Sequence, residues 1–374
     1  MNRVSPASLF ALVIGLMVGC VPIIEPQRGL EHCTAPDAPI AFADPALAAV
    51  VRADLGLGES DAVTCRALTR LRRLNANDSG ITSFVGLEEA ANLTRIDARG
   101  NQLSDLGPLS GLPRLARLSL RDNAVRDLSR LRDVPALTNL ELRRNELADI
   151  AGIEGLSNLR QLDLRDNAIV DISPVAALTR LGELLLQNNA VERIEALQGL
   201  ADLQVLRLDG NAIVDAGGLS TLHELRTLSL RNNQVSELAF VFTLGKLESL
   251  DVQNNAVSDL TALVSLDRLE TVNLSRNQIT DVTPLGTLTA LQTLDVQRNA
   301  IRSIAPLGEL TQITTLNLSR NQIDDITPLE GLSSMTSVNL DRNCLVLDET
   351  DVGVLDRLVE RGVEVSFDGQ SGCR

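Results

Sequence analysis

Tryptophan and tyrosine are absent from the 374-residue sequence, phenylalanine occurs six times, and histidine occurs only as His32 and His223. Without aromatic rings a surface offers no stacking platform for bases. With two histidines there is almost nothing to build imidazole acid–base or metal chemistry from. Lysine is nearly missing too. Lys246 is the only one, so the remaining positive charge is arginine, and the formal net charge is −15. An acidic chain is a poor ligand for phosphate backbones, which need clustered cations, and nucleic acid is excluded as a partner. No phosphate-cradling G-x-x-x-x-G-K-[ST] and no H-E-x-x-H occurs. These absences point to a non-enzymatic protein with no cofactor, no metal site and no catalytic residues.

What is present is repetition. Asn101, Asn123, Asn145, Asn167, Asn189, Asn211, Asn233, Asn255, Asn277, Asn299, Asn321 and Asn343 stand 22 residues apart without an insertion, and Ser79 fills the slot one unit earlier. In "LARLSLRDNAV" (115–125), Leu118 and Leu120 alternate with Arg117, Ser119 and Arg121, the period of a strand buried on one face. Val125, Leu128, Leu131 and Val134 then supply the interior of a return segment. Pro108, Pro174, Pro284, Pro306 and Pro328 share one column of that return, which disfavours a regular α-helix there. No unit can bury its faces alone, so about thirteen stacked units over 71–345 form one continuous core that needs caps at both ends. The asparagines read as an interior ladder that satisfies turn backbone. Asp105, Asp127, Asp149, Asp171, Asp215, Asp259, Asp281 and Asp325, four residues after the asparagine, read as turn residues.

The unit matches L-x-x-L-x-L-x-x-N-x-L and resembles the leucine-rich repeat. The resemblance implies an α/β solenoid, a horseshoe with a parallel β-sheet on its concave face. In "FADPALAAVVRADLG" (42–56), Asp44 is an expected helix N-cap and Pro45 the first helical residue. With "NDSGITSFVGLEEAANLTRID" (77–97), this stretch resembles the helical N-terminal cap, spanning 33–70, and the first repeats of bacterial internalin-like proteins. "DVGVLDRLVERGVEVSF" (351–367) predicts a helix, a stop at Gly362 and a last strand, giving a helix–strand C-terminal cap over 346–374.

The first residues differ in kind. Arg3 precedes the apolar run "LFALVIGLMVG" (9–19), too short to span a bilayer but suited to the core of a signal peptide over 1–19. Its end at Gly19-Cys20 resembles the lipobox of bacterial lipoproteins, with Met17 where leucine is usual. The resemblance implies a lipidated Cys20, a linker over 20–32, and a lipid anchor to the membrane in place of a transmembrane helix. Val21 after Cys20 is not the aspartate associated with inner-membrane retention. The expected location is therefore across the inner membrane, in the envelope, at the outer membrane or cell surface. Four cysteines remain, Cys33 and Cys65 near one end, Cys344 and Cys373 near the other. Three pairings are open to them. Pairing within each end fits an extended array in an oxidising compartment.

Side chains free to act are those pointing out of the concave face. One column there carries Arg99, Arg121, Arg143 and Arg165 in succession, about 4.8 Å apart if neighbouring strands pair. This column reads either as a binding strip or as a charge ladder paired with Asp97, Glu141 and Asp163. A second run, Arg276, Arg298, Arg320 and Arg342, sits at the strand ends beside the asparagines and has the same two readings. The aromatics with which internalin-like proteins grip receptors are missing from the face. The sequence therefore points to a monomeric lipoprotein that presents a polar concave surface to an unidentified protein partner. The alternative is an anionic envelope glycan held by the arginine strip.

Overall fold

The computed structural model describes residues 35–370. The signal segment, Cys20, the linker, His32, Cys33 and Cys373 lie outside the described residues. The chain forms a single 14-stranded parallel sheet whose strands lie in sequence order. Its first half comprises β1 (Arg73–Asn75), β2 (Arg95–Asp97), β3 (Arg117–Ser119), β4 (Asn139–Glu141), β5 (Gln161–Asp163), β6 (Glu183–Leu185) and β7 (Val205–Arg207). Its second half comprises β8 (Thr227–Ser229), β9 (Ser249–Asp251), β10 (Thr271–Asn273), β11 (Thr293–Asp295), β12 (Thr315–Asn317), β13 (Ser337–Asn339) and β14 (Glu364–Ser366). β1–β13 belong to the repeats; β14 comes from the C-terminal cap. The expected solenoid is therefore the observed one.

Each of β1–β13 buries its middle residue and the residue after its end, as Leu118 and Leu120 do. Short 3-10 turns return the chain, for example Thr283–Thr287 and Thr327–Gly331, with Pro284 and Pro328 in their first turn. The aspartate column explains why the turns begin where they do. Asp105, Asp127, Asp149, Asp171, Asp215, Asp259 and Asp281 each accept a hydrogen bond at 2.8 Å from the backbone N–H two residues on, and Asp325 does so at 2.9 Å.

The asparagines tie one repeat to the next. Asn233 Nδ2 donates to the carbonyls of Leu230 in its own repeat at 2.9 Å and Leu208 in the preceding one at 3.0 Å. Its Oδ1 accepts from the N–H of Ile213, 3.0 Å away. The same bonding recurs from Asn101 (to Ala76 and Ala98) to Asn343 (to Leu318 and Leu340).

Both ends are closed by helices. α1 (Pro45–Leu55) buries Leu47, Ala48, Val51 and Leu55, and its N-cap Asp44 accepts from Ala46 and Leu47 N–H. The other oxygen of Asp44 accepts from Thr82 N–H at 2.6 Å and Thr82 Oγ at 2.9 Å, which binds the cap to the first repeats. A short α2 (Cys65–Leu68) follows, and α3 (Glu349–Glu360), capped by Asp348, covers the last repeat with Val354, Leu355 and Leu358. Gln370 completes this end. Its Nε2 donates to Leu340 and Phe367 carbonyls at 2.9 Å, the bonds a further asparagine would make, and its Oε1 accepts from Asn343 N–H. Phe240 is buried in the outer turns, whereas Phe242 two residues on is 60% exposed.

Replacing Asn233 by alanine strands two carbonyls and one N–H in the interior and should destabilise the central repeats by about 2–4 kcal/mol, read by hydrogen exchange. Asn233→Asp keeps shape and acceptor but loses the donor, so it should also be clearly destabilised at neutral pH. Stability equal to wild type in either variant would contradict the ladder.

Candidate functional site on the concave face

Three columns of side chains leave the sheet on its concave side, one at the start, one at the end and one just beyond the end of each strand. Strand pairing is in register from Arg73↔Arg95 through Ser337↔Glu364, so chemically like positions line up across the sheet. The face has two different halves. Along β10–β13 it displays Thr271, Thr293, Thr315 and Ser337 beside Asn273, Asp295, Asn317 and Asn339, a mostly uncharged hydroxyl and amide surface. Along β2–β9 it is charged, and most of its charges are paired.

All four arginines of the predicted strip have carboxylate partners. Arg99 meets Asp78 at 3.0 Å, Arg121 meets Glu141 at 3.7 Å, Arg143 meets Asp166 at 2.6 Å, and Arg165 grips Asp163 through two bonds of 2.8 and 2.6 Å. Two of these partners, Asp78 and Asp166, come from the turn beyond the strand and not from the strand column. Asp97 is instead engaged by Arg95 at 2.6 Å. The bidentate contact holds the Arg165 guanidinium even more firmly protonated, despite partial burial. Burial would raise the Asp166 carboxyl, but Asn188 and Arg143 donate to it and Arg144 adds positive charge, so it ends below its ordinary value. The network continues through polar side chains. Ser119 Oγ donates to Glu141 at 2.9 Å, Asn139 donates to Gln161, and Gln161 Nε2 donates to Glu183 at 2.9 Å.

In the middle of this charged half lies an interruption that sequence reading passed over. Leu185, at the end of β6, and Val205, at the start of β7, are half-buried apolar residues in columns otherwise polar. Asp163, Arg165, Glu183 and Arg207 surround them. Leu185, Asp163, Arg165 and Glu183 line a shallow depression together with Arg121 and Glu141. Gln187, two residues beyond Leu185, carries the only buried side-chain oxygen among the described residues without a hydrogen-bond donor. The signal was available, since Leu185 and Val205 fall at outward positions of the 22-residue unit, but leucine in such a chain reads as core.

Further groups complete the inventory. His223 Nδ1 lies 3.2 Å from the Thr243 carbonyl on the outer side, remote from this face. Of the terminal cysteines, Cys65 and Cys344 fall within the described residues, each only 4% exposed. Asp251 on β9 accepts from Gln253 N–H at 3.0 Å and from Asn273 Nδ2 at 3.3 Å, with Arg231 at 3.6 Å. Burial nonetheless pushes its carboxyl above the ordinary value, with repulsion from Asp209 adding to the effect. A carboxyl that holds its proton more tightly folded than unfolded lowers stability as pH rises through that interval, and the penalty persists above it. Asn273, Asn317 and Asn339 already occupy the same column. Asp251→Asn should therefore raise the melting temperature at pH 7 by a few degrees, and the gain should shrink as pH falls through the carboxylate range. A gain that is independent of pH would refute this origin.

Models of leucine-rich repeats match most of the array: "Leucine Rich repeats (2 copies)" at residues 91–133, 135–177, 223–265 and 267–309, and "Leucine rich repeat" at 157–213 and 310–326. No curated protein matches the chain. Among solved structures, the fold is similar to an internalin, InlF, of Listeria monocytogenes, with a TM-score of 0.81 and 28% identity over 90% of this chain and 99% of that one. A leucine-rich repeat protein of Leptospira interrogans is similar at a TM-score of 0.74 and 22% identity, over 82% of this chain and 80% of that one. The ectodomain of the Arabidopsis thaliana receptor kinase GASSHO1/SCHENGEN3, solved in complex with Casparian strip integrity factor 2, reaches a TM-score of 0.60 at 21% identity. There the match covers 78% of this chain and 40% of the receptor chain.

Proposed function

The chain belongs to the leucine-rich repeat proteins, and from that premise we propose that it is a non-enzymatic binding protein whose concave face receives a protein partner around Leu185 and Val205. The observation that carries this reading is the apolar pair itself. Two aliphatic side chains set among charged ones, of which Asp163, Arg165 and Glu183 are already held by hydrogen bonds, reproduce the build of a protein interface, an apolar centre within a polar rim. Arg165 and Arg207 stand beside the pair, and arginine is among the side chains that dominate binding energy at such centres. The array needs no induced shape to present them, because the asparagine ladder fixes the strands. A monomer suffices for this role.

The glycan alternative on the same face is weaker. A polyanion bound there would have to draw Arg99, Arg121, Arg143 and Arg165 away from the carboxylates they already contact. We further propose envelope attachment through a lipidated Cys20 and end-local disulfides Cys33–Cys65 and Cys344–Cys373. Cys65 and Cys344 are buried at opposite ends of the array and neither stands as a free thiol, which supports the pairing.

Two experiments test these readings. Wild-type protein and a Leu185→Asp/Val205→Asp variant are used as baits in envelope extract, and the captured protein is then titrated against both. Affinity should fall at least roughly tenfold in the variant, about 1.4 kcal/mol, with an unchanged circular dichroism spectrum; equal affinity would move the site off this patch. Separately, Cys20→Ser should shift the protein from the membrane pellet to the soluble fraction, and retention in the pellet would refute the anchor.

A further inference from the structure

The second arginine run has a different character from the first. Arg276, Arg298, Arg320 and Arg342 occupy the turn position just beyond the concave columns, and all four are exposed. Each backbone N–H donates to a carbonyl of the next strand's end, Gln297, Ser319, Asp341 and Asp368 respectively, at 2.7–2.9 Å. The four therefore stand in strict succession, about 4.8 Å apart, over roughly 14 Å. Among the described residues, no carboxylate forms an ion pair with any of them.

Two features make this arrangement unfavourable for the protein alone. The position requires a left-handed backbone, with φ of 56°, 54°, 58° and 55° at the four arginines. Residues that tolerate that conformation fill the same column earlier, namely Asn188, Gly210, Asn232 and Asn254. Like charges also face one another across adjacent strands. Arg298 and Arg342 push the Arg320 guanidinium below its ordinary value. The contrast lies within the column itself. Arg144 sits there between Asp122 and Asp166, at 3.6 and 3.8 Å, so the lone earlier arginine is flanked by opposite charge where the four later ones are not. Backbone strain and uncompensated charge recurring together at four successive repeats are the mark of a site kept for a ligand.

The surroundings narrow the ligand. Ser275, Gln297 and Ser319 on the strand side and Gln278, Ala300 and Gln322 on the other are uncharged, and Asp341 is already engaged by Ser366 Oγ and Asp368 N–H. Gln322 Oε1 holds one more arginine, Arg302, alongside at 3.0 Å. No aromatic side chain is present for bases to stack on, which disfavours single-stranded nucleic acid. An extended acidic peptide presents same-face side chains about every 6.7 Å, out of step with the ladder by its third rung. A linear polysaccharide with one anionic group on each sugar carries charge at intervals near the strand spacing, and rotation about its glycosidic links lets successive groups turn toward the same row.

We propose that Arg276, Arg298, Arg320 and Arg342 form a binding ladder for a linear polyanionic polysaccharide of the polyuronate class, separate from the concave protein site. The ligand's carboxylates replace the carboxylate partners that the first arginine strip finds within the protein.

The probe is polygalacturonate, with dextran as neutral glycan and polyglutamate as acidic peptide, titrated against the full chain and against R276N/R298N/R320N/R342N. Asparagine already fills this turn at three repeats, so the variant should fold and melt at a higher temperature than wild type. Wild type should bind polygalacturonate in a salt-sensitive way and dextran not at all. The quadruple variant should lose at least tenfold in affinity, and R298N/R320N should fall between. Absence of wild-type binding, equal binding by the quadruple variant, or equal binding of dextran would overturn the site. Polyglutamate binding as tightly as polygalacturonate would overturn the assignment to a polysaccharide.

Discussion

The asparagine amide is the constraint on which the rest of this molecule depends. A chain that turns every 22 residues around an apolar interior must bury turn backbone that cannot reach water. Each unpaired N–H or carbonyl would cost about 1–3 kcal/mol. One primary amide per repeat answers this with both of its functions, donating to carbonyls of two consecutive repeats and accepting an N–H of the earlier one. Because the bonds to Leu208 and Ile213 cross to the neighbouring unit, the repeat length cannot drift. A single inserted residue would move the amide out of reach of Leu208 or its equivalent. The fixed interval of 22 and the in-register sheet are two expressions of the same requirement. Gln370, closing the ladder from the C-terminal cap, shows that the requirement outlasts the repeats.

Strict register has a consequence for the surface. Any outward residue type used in successive repeats becomes a row with the spacing of neighbouring strands. Rows of like charge must then be neutralised locally, or carry repulsion. The first arginine row is neutralised, partly from within the strands, by Glu141 and Asp163, and partly from the turn beyond, by Asp78 and Asp166. The row from Arg276 to Arg342 is not. Both rows have the same composition and spacing, and what separates them is the column that lies beside each.

That distinction marks the boundary of what the sequence discloses here. The repeat, the strand period, the proline-bearing returns, the aspartate turns and the Asp44 cap are local or periodic, so they can be read from residue spacing alone. Gln370 could not be, because the cap places it 27 residues after Asn343 and the periodic signal had ended. Arginine pairing could not be either. The expected partners were the nearest carboxylates in the strands, and Asp97 does serve an arginine, but it serves Arg95 on its own strand while Arg99 reaches back to Asp78. A long guanidinium side chain chooses among several carboxylates within reach, and that choice depends on geometry finer than the period. Leu185 and Val205 failed for another reason. In a sequence where leucine marks the interior at every turn, an aliphatic residue at an outward position is hidden by abundance.

Function in such a scaffold must therefore be sought where a row departs from its own pattern, since the pattern itself is accounted for by folding. Leu185 and Val205 break a polar surface without disturbing the Arg165–Asp163 pair or the Gln161–Glu183 bond beside them. The four turn arginines break a column that, apart from the carboxylate-paired Arg144, is asparagine, aspartate and glycine, and they do so against both backbone preference and charge. The first departure adds apolar contact area at no evident structural cost. The second lowers stability in return for a feature the fold does not need. A mutation that raises stability by restoring the pattern is then also the mutation expected to remove binding, a coupling often met where function rather than folding has chosen the residue.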